Sequence, residues 1–229
     1  MVEFLFLDLD DTILDFHAAE RVALEKTFRE LGITVSPEIL ERYKQINILH
    51  WKMLERGEIT REQVKVGRFA ALFEEQGITC DPALATPIYE RHLAVGHFFL
   101  PGAEEAVAAL AKKYRLYLAS NGTTSVQHGR MTSANLYRYF EQVFVSEEIG
   151  HNKPAKAYFD VAFSRIPDFD PEKAMIVGDS LTSDIRGGNN AGIRTCWVNR
   201  HRASRDPDIH VDYEIESLSQ LENLLETLK

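Results

Sequence analysis

Hydrophobic residues in this chain come in two rhythms. Short unbroken apolar runs at Phe4–Leu7, Leu116–Ala119, Val143–Val145 and Ala174–Val177 have the length and composition of strands covered on both faces, as in a parallel sheet. A shorter strand is expected at Thr195–Val198 and an edge strand near Tyr213–Ile215. Between these runs the apolar positions recur at helical spacing: Glu104–Lys113, Thr123 to about Leu136, Lys156–Arg165 and the segment around Thr182–Ala191. A last helix starts from Ser217, whose Ser-x-x-Gln opening predicts a capping box. Strands alternating with helices predict an α/β fold, an open parallel sheet with right-handed crossovers and helices on both faces.

One interval breaks the alternation. About 100 residues separate the first apolar run from the second, too many for a single crossover. That interval is almost entirely helical in pattern, at His17–Leu31, Pro37 to about Arg56, Arg61–Gln76 and Pro82–Val95. Thr60 with Gln63 forms a further capping-box signal, and Gly32, Gly57 and Gly77 punctuate the ends. The chain is therefore expected to hold a core made of residues 1–14 and 97–229, with an α-helical domain inserted at 15–96 and Pro101-Gly102 marking the return. No internal repeat, low-complexity tract or flexible linker interrupts it.

Composition narrows the classes of partner. At 229 residues and 45% hydrophobic content the chain has ample material for a buried core. Its net charge of −9 disfavours a nucleic-acid polymer as a standing partner. Cys80 and Cys196 lie far apart and lack metal-ligand spacing, which suits a reduced, cytoplasmic compartment. The first residues carry no basic segment with a cleavage site, and no apolar run approaches about 18 residues, so neither secretion nor membrane spanning is expected.

The chemistry gathers where the apolar runs stop. Ligand sites of parallel sheets lie at the carboxyl ends of the strands, and Phe4–Leu7 ends in Asp8, Leu9, Asp10, Asp11, Thr12. Asp8 and Asp10 address one site only if the chain bends there, which Thr12 and its polar neighbours permit. Two carboxylates about 4 Å apart repel by about 4 kcal/mol at an effective dielectric near 20, so a divalent cation is the natural remedy. Mg²⁺ fits best, because it takes oxygen ligands and usually needs only one or two carboxylates plus substrate phosphate. After the second run, Ser120, Asn121 and Gly122 offer a hydroxyl and backbone amides to phosphate oxygens ahead of a helix start at Thr123. Lys153, between Asn152 and Pro154, is placed to offset charge on a phosphate or a carboxylate. Gly178, Asp179 and then Asp184 follow the fourth long run and would complete a metal site. Each cluster taken singly also suits an ordinary strand-to-helix turn; the ordered set of four is what points to one site.

That ordered set resembles the haloacid dehalogenase superfamily, whose motifs run Asp-x-Asp-x-Thr, a Ser or Thr, a Lys, and Gly-Asp with a further Asp. The resemblance covers essentially the whole chain. It implies a Rossmann-like core with the first strand central, and an inserted helical cap that closes over the phosphate site and selects the leaving group. It also implies a Mg²⁺-dependent phosphatase, with Asp8 as nucleophile, forming an aspartyl-phosphate, and Asp10 as general acid and base. Ser120, Asn121 and Lys153 would hold the phosphoryl group. Asp8, the backbone carbonyl of Asp10 and Asp179 would bind the metal, with Asp184 supporting it through water or outer contacts. Dehalogenases of the superfamily lack the second acid, so Asp10 argues against that activity.

A closer resemblance links Ile46-Asn47 through Trp51, Gly57–Thr60, Gly67-Arg68-Phe69, Val145–Gly150 and Ala191–Trp197 to the non-standard pyrimidine 5'-nucleotidase branch. It implies a nucleoside monophosphate as substrate, with Asn47, Trp51 and Arg68 as candidate specificity residues: an aromatic ring stacks on a planar base, an amide or guanidinium bonds its edge. The same residues at helical positions equally suit packing inside the insert. His50, His92 and His97 receive no catalytic role. Other phosphatases of sugars or small metabolites, and phosphomutases, share every core motif. A phospho-aspartate binding switch is the alternative of another class; the large insert and the late Asp179/Asp184 pair argue against it.

Overall fold

The computed structural model describes residues 1–228; Lys229, the last residue of the expected core, lies outside the described residues. Six strands, β1 (Phe4–Leu7), β2 (Arg115–Ser120), β3 (Gln142–Val145), β4 (Ala174–Gly178), β5 (Arg194–Val198) and β6 (Tyr213–Ile215), form one sheet in the order β3-β2-β1-β4-β5-β6, every pair parallel. The helices are α1 (Phe16–Glu30), α2 (Pro37–Glu55), α3 (Arg61–Gln76), α4 (Pro82–Leu93), α5 (Ala103–Leu110), α6 (Thr124–Ser133), α7 (Ser146–Ile149), α8 (Lys156–Ser164), α9 (Arg186–Ala191) and α10 (Leu221–Glu226). The chain divides into two compact units, Met1–Phe16 together with the chain from His97 onward, and His17–Gly96.

In the first unit β1 is central, as the resemblance implies, and β6 is the edge strand its short length predicts. All four residues of β1 are buried because its two faces serve two cores. Leu5 and Leu7 pack with Val107 and Leu110 of α5, Met131 of α6 and Leu221 and Leu225 of α10. Phe4 and Phe6 lie in the opposite layer with Tyr117, Phe144, and Tyr158 and Phe159 of α8. A strand buried on both faces has no polar alternation, which is why the period-2 signal is missing from the sequence there. The register sets Leu7 beside both Leu118 and Val177, so the chain leaves β1, β2 and β4 at one edge.

The second unit is all helical. Tyr43, Phe69 and Tyr89, from α2, α3 and α4, meet with ring centroids 5.1 to 5.8 Å apart and are fully buried. Thr60 and Gln63 form the expected capping box, and Gly77 closes α3 in the left-handed conformation. The capping box expected at Ser217 does not form. Ser217 precedes a 3₁₀ turn, Leu218–Gln220, without a side-chain cap, and the Gln220 amide oxygen instead accepts from the Glu216 N–H at 2.7 Å. The tighter turn brings the Gln220 N–H onto the Ser217 carbonyl at 3.1 Å, and the Ser217 hydroxyl pairs with Ser219 Oγ at 2.7 Å rather than capping a backbone N–H. No helix among the described residues is long and apolar enough to cross a membrane.

Candidate active site

The chain turns sharply as it leaves β1. Asp8 still donates its backbone N–H to Val177 of β4 at 3.0 Å, but Ile13 and Leu14 then fold back onto the Leu9 carbonyl. The bend expected around Thr12 is carried by Asp11, whose φ of 54° is left-handed, a conformation short polar side chains tolerate. Asp11 Oδ1 accepts from the Phe16 N–H at 3.2 Å and so helps start the segment that leads away from the site.

Lys153 is the hub of the site. It is 1% exposed, and its ammonium donates to Asp8 Oδ1 at 2.7 Å, Asp184 Oδ1 at 2.6 Å and the Ala119 carbonyl at 2.5 Å. Three segments distant in sequence thus meet on one nitrogen. Asn121 positions this lysine through its backbone: its amide oxygen accepts from the Lys153 N–H at 2.8 Å, and its amide nitrogen donates to the Lys153 carbonyl at 2.7 Å and to Ser183 Oγ at 3.1 Å. The Asn121 side chain is spent on this staple. Ser120 is buried at the end of β2.

Gly178 ends β4 where a side chain has no room, since a Cβ there would stand 2.2 Å from Asp184 Oδ2. Asp184 leans across it from the π-helical turn Leu181–Ile185, and its Oδ2 also accepts from the Ser180 N–H at 3.1 Å. The Trp197 indole donates to the Asp179 carbonyl at 2.8 Å and anchors the loop that carries that acid.

Asp8, Asp179 and Asp184 offer three carboxylate oxygens that all lie within 4.8 Å of one another. Burial raises the Asp8 carboxyl to about 8 against the opposing pull of Lys153, and Asp184 and Asp10 add to the rise. Asp179 is driven well above the usual carboxylate range, first by burial and then by Asp184 and Asp8. Burial alone would lower Lys153, but Asp184 and Asp8 outweigh it and the ammonium is held beyond the ordinary lysine range. One fixed cation faces three acids, so negative charge is in excess once all three are ionised. An all-oxygen donor set with surplus negative charge suits a hard divalent cation and offers nothing to a thiophilic one.

Asp10 stands apart from the Lys153 hub. Its carboxylate is gripped from α6: Arg130 donates to Oδ1, and Gln127 Nε2 donates to Oδ2 at 2.8 Å. The sequence reading missed Gln127 and Arg130 because neither type is marked by a motif. The only available signal was their i, i+3 spacing on the helix that follows Ser120 and Gly122.

Of the candidate specificity residues, Asn47 and Arg68 are buried and joined to each other. Arg68 donates to Asn47 Oδ1 at 2.9 Å, and Asn47 donates to Glu20 Oε1 at 2.8 Å. Trp51 is half-buried, with the Arg61 guanidinium 5.6 Å from its ring centroid.

Residues 2–192 match the haloacid dehalogenase-like hydrolase family. The chain belongs to that family. It is an enzyme, a phosphoric monoester hydrolase. It is 37% identical to the pyrimidine 5'-nucleotidase PynA of Streptococcus pneumoniae, over 98% of this chain and 95% of that one. It is 30% identical to the pyrimidine 5'-nucleotidase YjjG of Escherichia coli, over 97% of each. The crystal structure of the HAD-hydrolase YfnB from Bacillus subtilis, bound to magnesium, superposes with a TM-score of 0.93 at 41% identity, over 98% of each chain.

Proposed function

We propose that this hydrolase is a Mg²⁺-dependent 5'-nucleotidase that removes phosphate from pyrimidine nucleoside monophosphates through an aspartyl-phosphate on Asp8. The observation that carries the chemistry is the Lys153 ammonium bridging Asp8 and Asp184, with Asp179 within ligand distance, at the carboxyl edge of β1, β2 and β4. The pyrimidine assignment rests on the two full-length relatives that bear that name.

In this reading an Asp8 oxygen attacks phosphorus; the new P–O bond forms as the ester P–O bond breaks, and Asp10 passes a proton to the departing alkoxide. Water then attacks the phosphoryl-aspartate, gives a proton back to Asp10, and leaves inorganic phosphate and a restored Asp8 carboxylate. Lys153 and the Ser120 hydroxyl hold the non-bridging oxygens, while Asn121 keeps Lys153 in place. Asp8, Asp179 and the Asp10 carbonyl would hold Mg²⁺, with Asp184 supporting them. The ion supplies neutralisation of charge on the phosphoryl group. The helical insert is assigned the choice of leaving group. Trp51, with its half-buried ring, is the candidate contact for it, and Asn47 and Arg68 link α2 to α3.

The test is phosphate release from a panel of nucleoside monophosphates and sugar phosphates, with Mg²⁺ and with excess chelator. Turnover on pyrimidine nucleotides should exceed that on purine nucleotides and sugar phosphates at least about tenfold, a difference of 1.4 kcal/mol in the barrier, and should vanish with the chelator. A sugar phosphate as the best substrate would overturn the nucleotidase assignment. Undiminished turnover in chelator would overturn the metal.

A further inference from the structure

The side chains of Arg130 and Gln127 are not part of the assigned chemistry, yet they are arranged around it. Arg130 is fully buried, its guanidinium carbon 5.7 Å from the Phe16 ring centroid, and it donates both to Asp10 Oδ1 and to Gln127 Oε1, the latter at 3.3 Å. Gln127 uses its other end twice: Nε2 donates to Asp10 Oδ2 at 2.8 Å and to Ser120 Oγ at 2.7 Å. Gly122 makes the room, because a Cβ there would lie 2.3 Å from Gln127 Cγ. Both carboxylate oxygens of Asp10 are therefore fixed by one turn of α6, while its side chain keeps 28% of its surface open.

A buried arginine is costly unless a partner meets its charge, and the acid that meets Arg130 is the one assigned to move protons. We propose that Arg130 and Gln127 are positioning residues: they fix the Asp10 carboxylate, and through Gln127 they set it at a defined distance from the Ser120 hydroxyl that holds the phosphoryl group. This rests on the assignment of Asp10 as the acid and base. Misplacing a reacting group by about 1 Å costs about 100-fold in rate, and a planar amide bonded to both Asp10 and Ser120 prevents that drift.

The experiment compares kcat/KM on uridine 5'-monophosphate, whose alkoxide needs a proton to leave, with p-nitrophenyl phosphate, whose phenolate leaves without one. The variants are Gln127→Leu, Arg130→Met and Arg130→Lys, with Asp10→Asn as the reference. Gln127→Leu and Arg130→Met are expected to lose about 10- to 100-fold on the nucleotide and under about threefold on the aryl ester, with Arg130→Lys recovering part of the loss. A merely structural role would lower both substrates equally, and that result, or unchanged kcat/KM on both, overturns the proposal. If Asp10→Asn shows the selective loss and Gln127→Leu does not, the positioning role falls and the acid–base assignment stands. If Asp10→Asn itself lacks the selective loss, the acid–base assignment falls and takes the positioning role with it. Arg130→Met removes a buried ion pair and is checked by thermal melting; should it fail to fold, Gln127→Leu decides alone.

Discussion

Two buried polar clusters in this protein are built from similar parts and balance differently. In the insert, Arg68 meets Asn47, and Asn47 meets Glu20, so one cation and one acid are joined through an amide that donates to one and accepts from the other. At the edge of β1, β2 and β4, Lys153 meets Asp8 and Asp184 with Asp179 close by, so one cation is shared among three acids. In the first cluster the Arg68 guanidinium also lies over the Tyr89 ring, 4.7 Å from its centroid. The second carries negative charge in excess once its three carboxyls are ionised. A buried cluster that balances stabilises one arrangement of helices; one that does not is poised for a cation.

The sharpest way to break this contrast is at Asp8, the proposed nucleophile. Asp8→Asn should lower phosphate release by at least about 10³-fold, with the thermal midpoint within a few degrees of the parent. Substantial residual turnover would remove Asp8 from its role.

Next come the two cations. Lys153→Met strands Asp8 and Asp184, and Arg68→Met leaves Asn47 Oδ1 without its donor and the Glu20 charge without its cation; each should cost about 3–5 kcal/mol in denaturant melts. Millimolar Mg²⁺ should recover part of the Lys153→Met loss and none of the Arg68→Met loss. Equal recovery in both would mean that the two clusters do not differ in the way described.

The mildest effect is that of pH on the unmutated protein. Asp8 is raised from 3.8 to about 8, and Asp179 is raised as well, so in both the folded state favours the protonated form. Their contribution to stability is complete below about pH 4 and is lost as pH climbs through about 8. The metal-free midpoint should therefore fall by a few degrees between about pH 6 and pH 8, and the stabilisation by Mg²⁺ should grow over the same interval as the ion displaces fewer protons. A midpoint shift by Mg²⁺ that is independent of pH would contradict this.

Much of this was legible in the residues. Four-residue apolar runs ending in acids or in Ser-Asn-Gly place chemistry at strand ends by a rule that needs no coordinates, and β1, β2 and β4 sit where those runs predict. The four helices of the insert are legible because capping residues and left-handed glycines mark their ends locally, as Thr60, Gln63 and Gly77 do. The Ser217 capping box fails for the complementary reason: the same Ser-x-x-Gln pattern serves a 3₁₀ turn when the chain tightens there.

What one dimension does not contain is pairing across distance. The sequence by itself determined the elements, the strand-end acids and the lysine, because secondary structure and motif spacing depend on neighbours within a few residues. Only the tertiary structure decided that Lys153 lies between Asp8 and Asp184, that Asn121 spends its amide on the lysine's backbone, and that Arg130 and Gln127 reach Asp10 across more than a hundred residues. Those contacts follow from the order and register of a parallel sheet, which is set by burial of both its faces at once and leaves no mark at any single position.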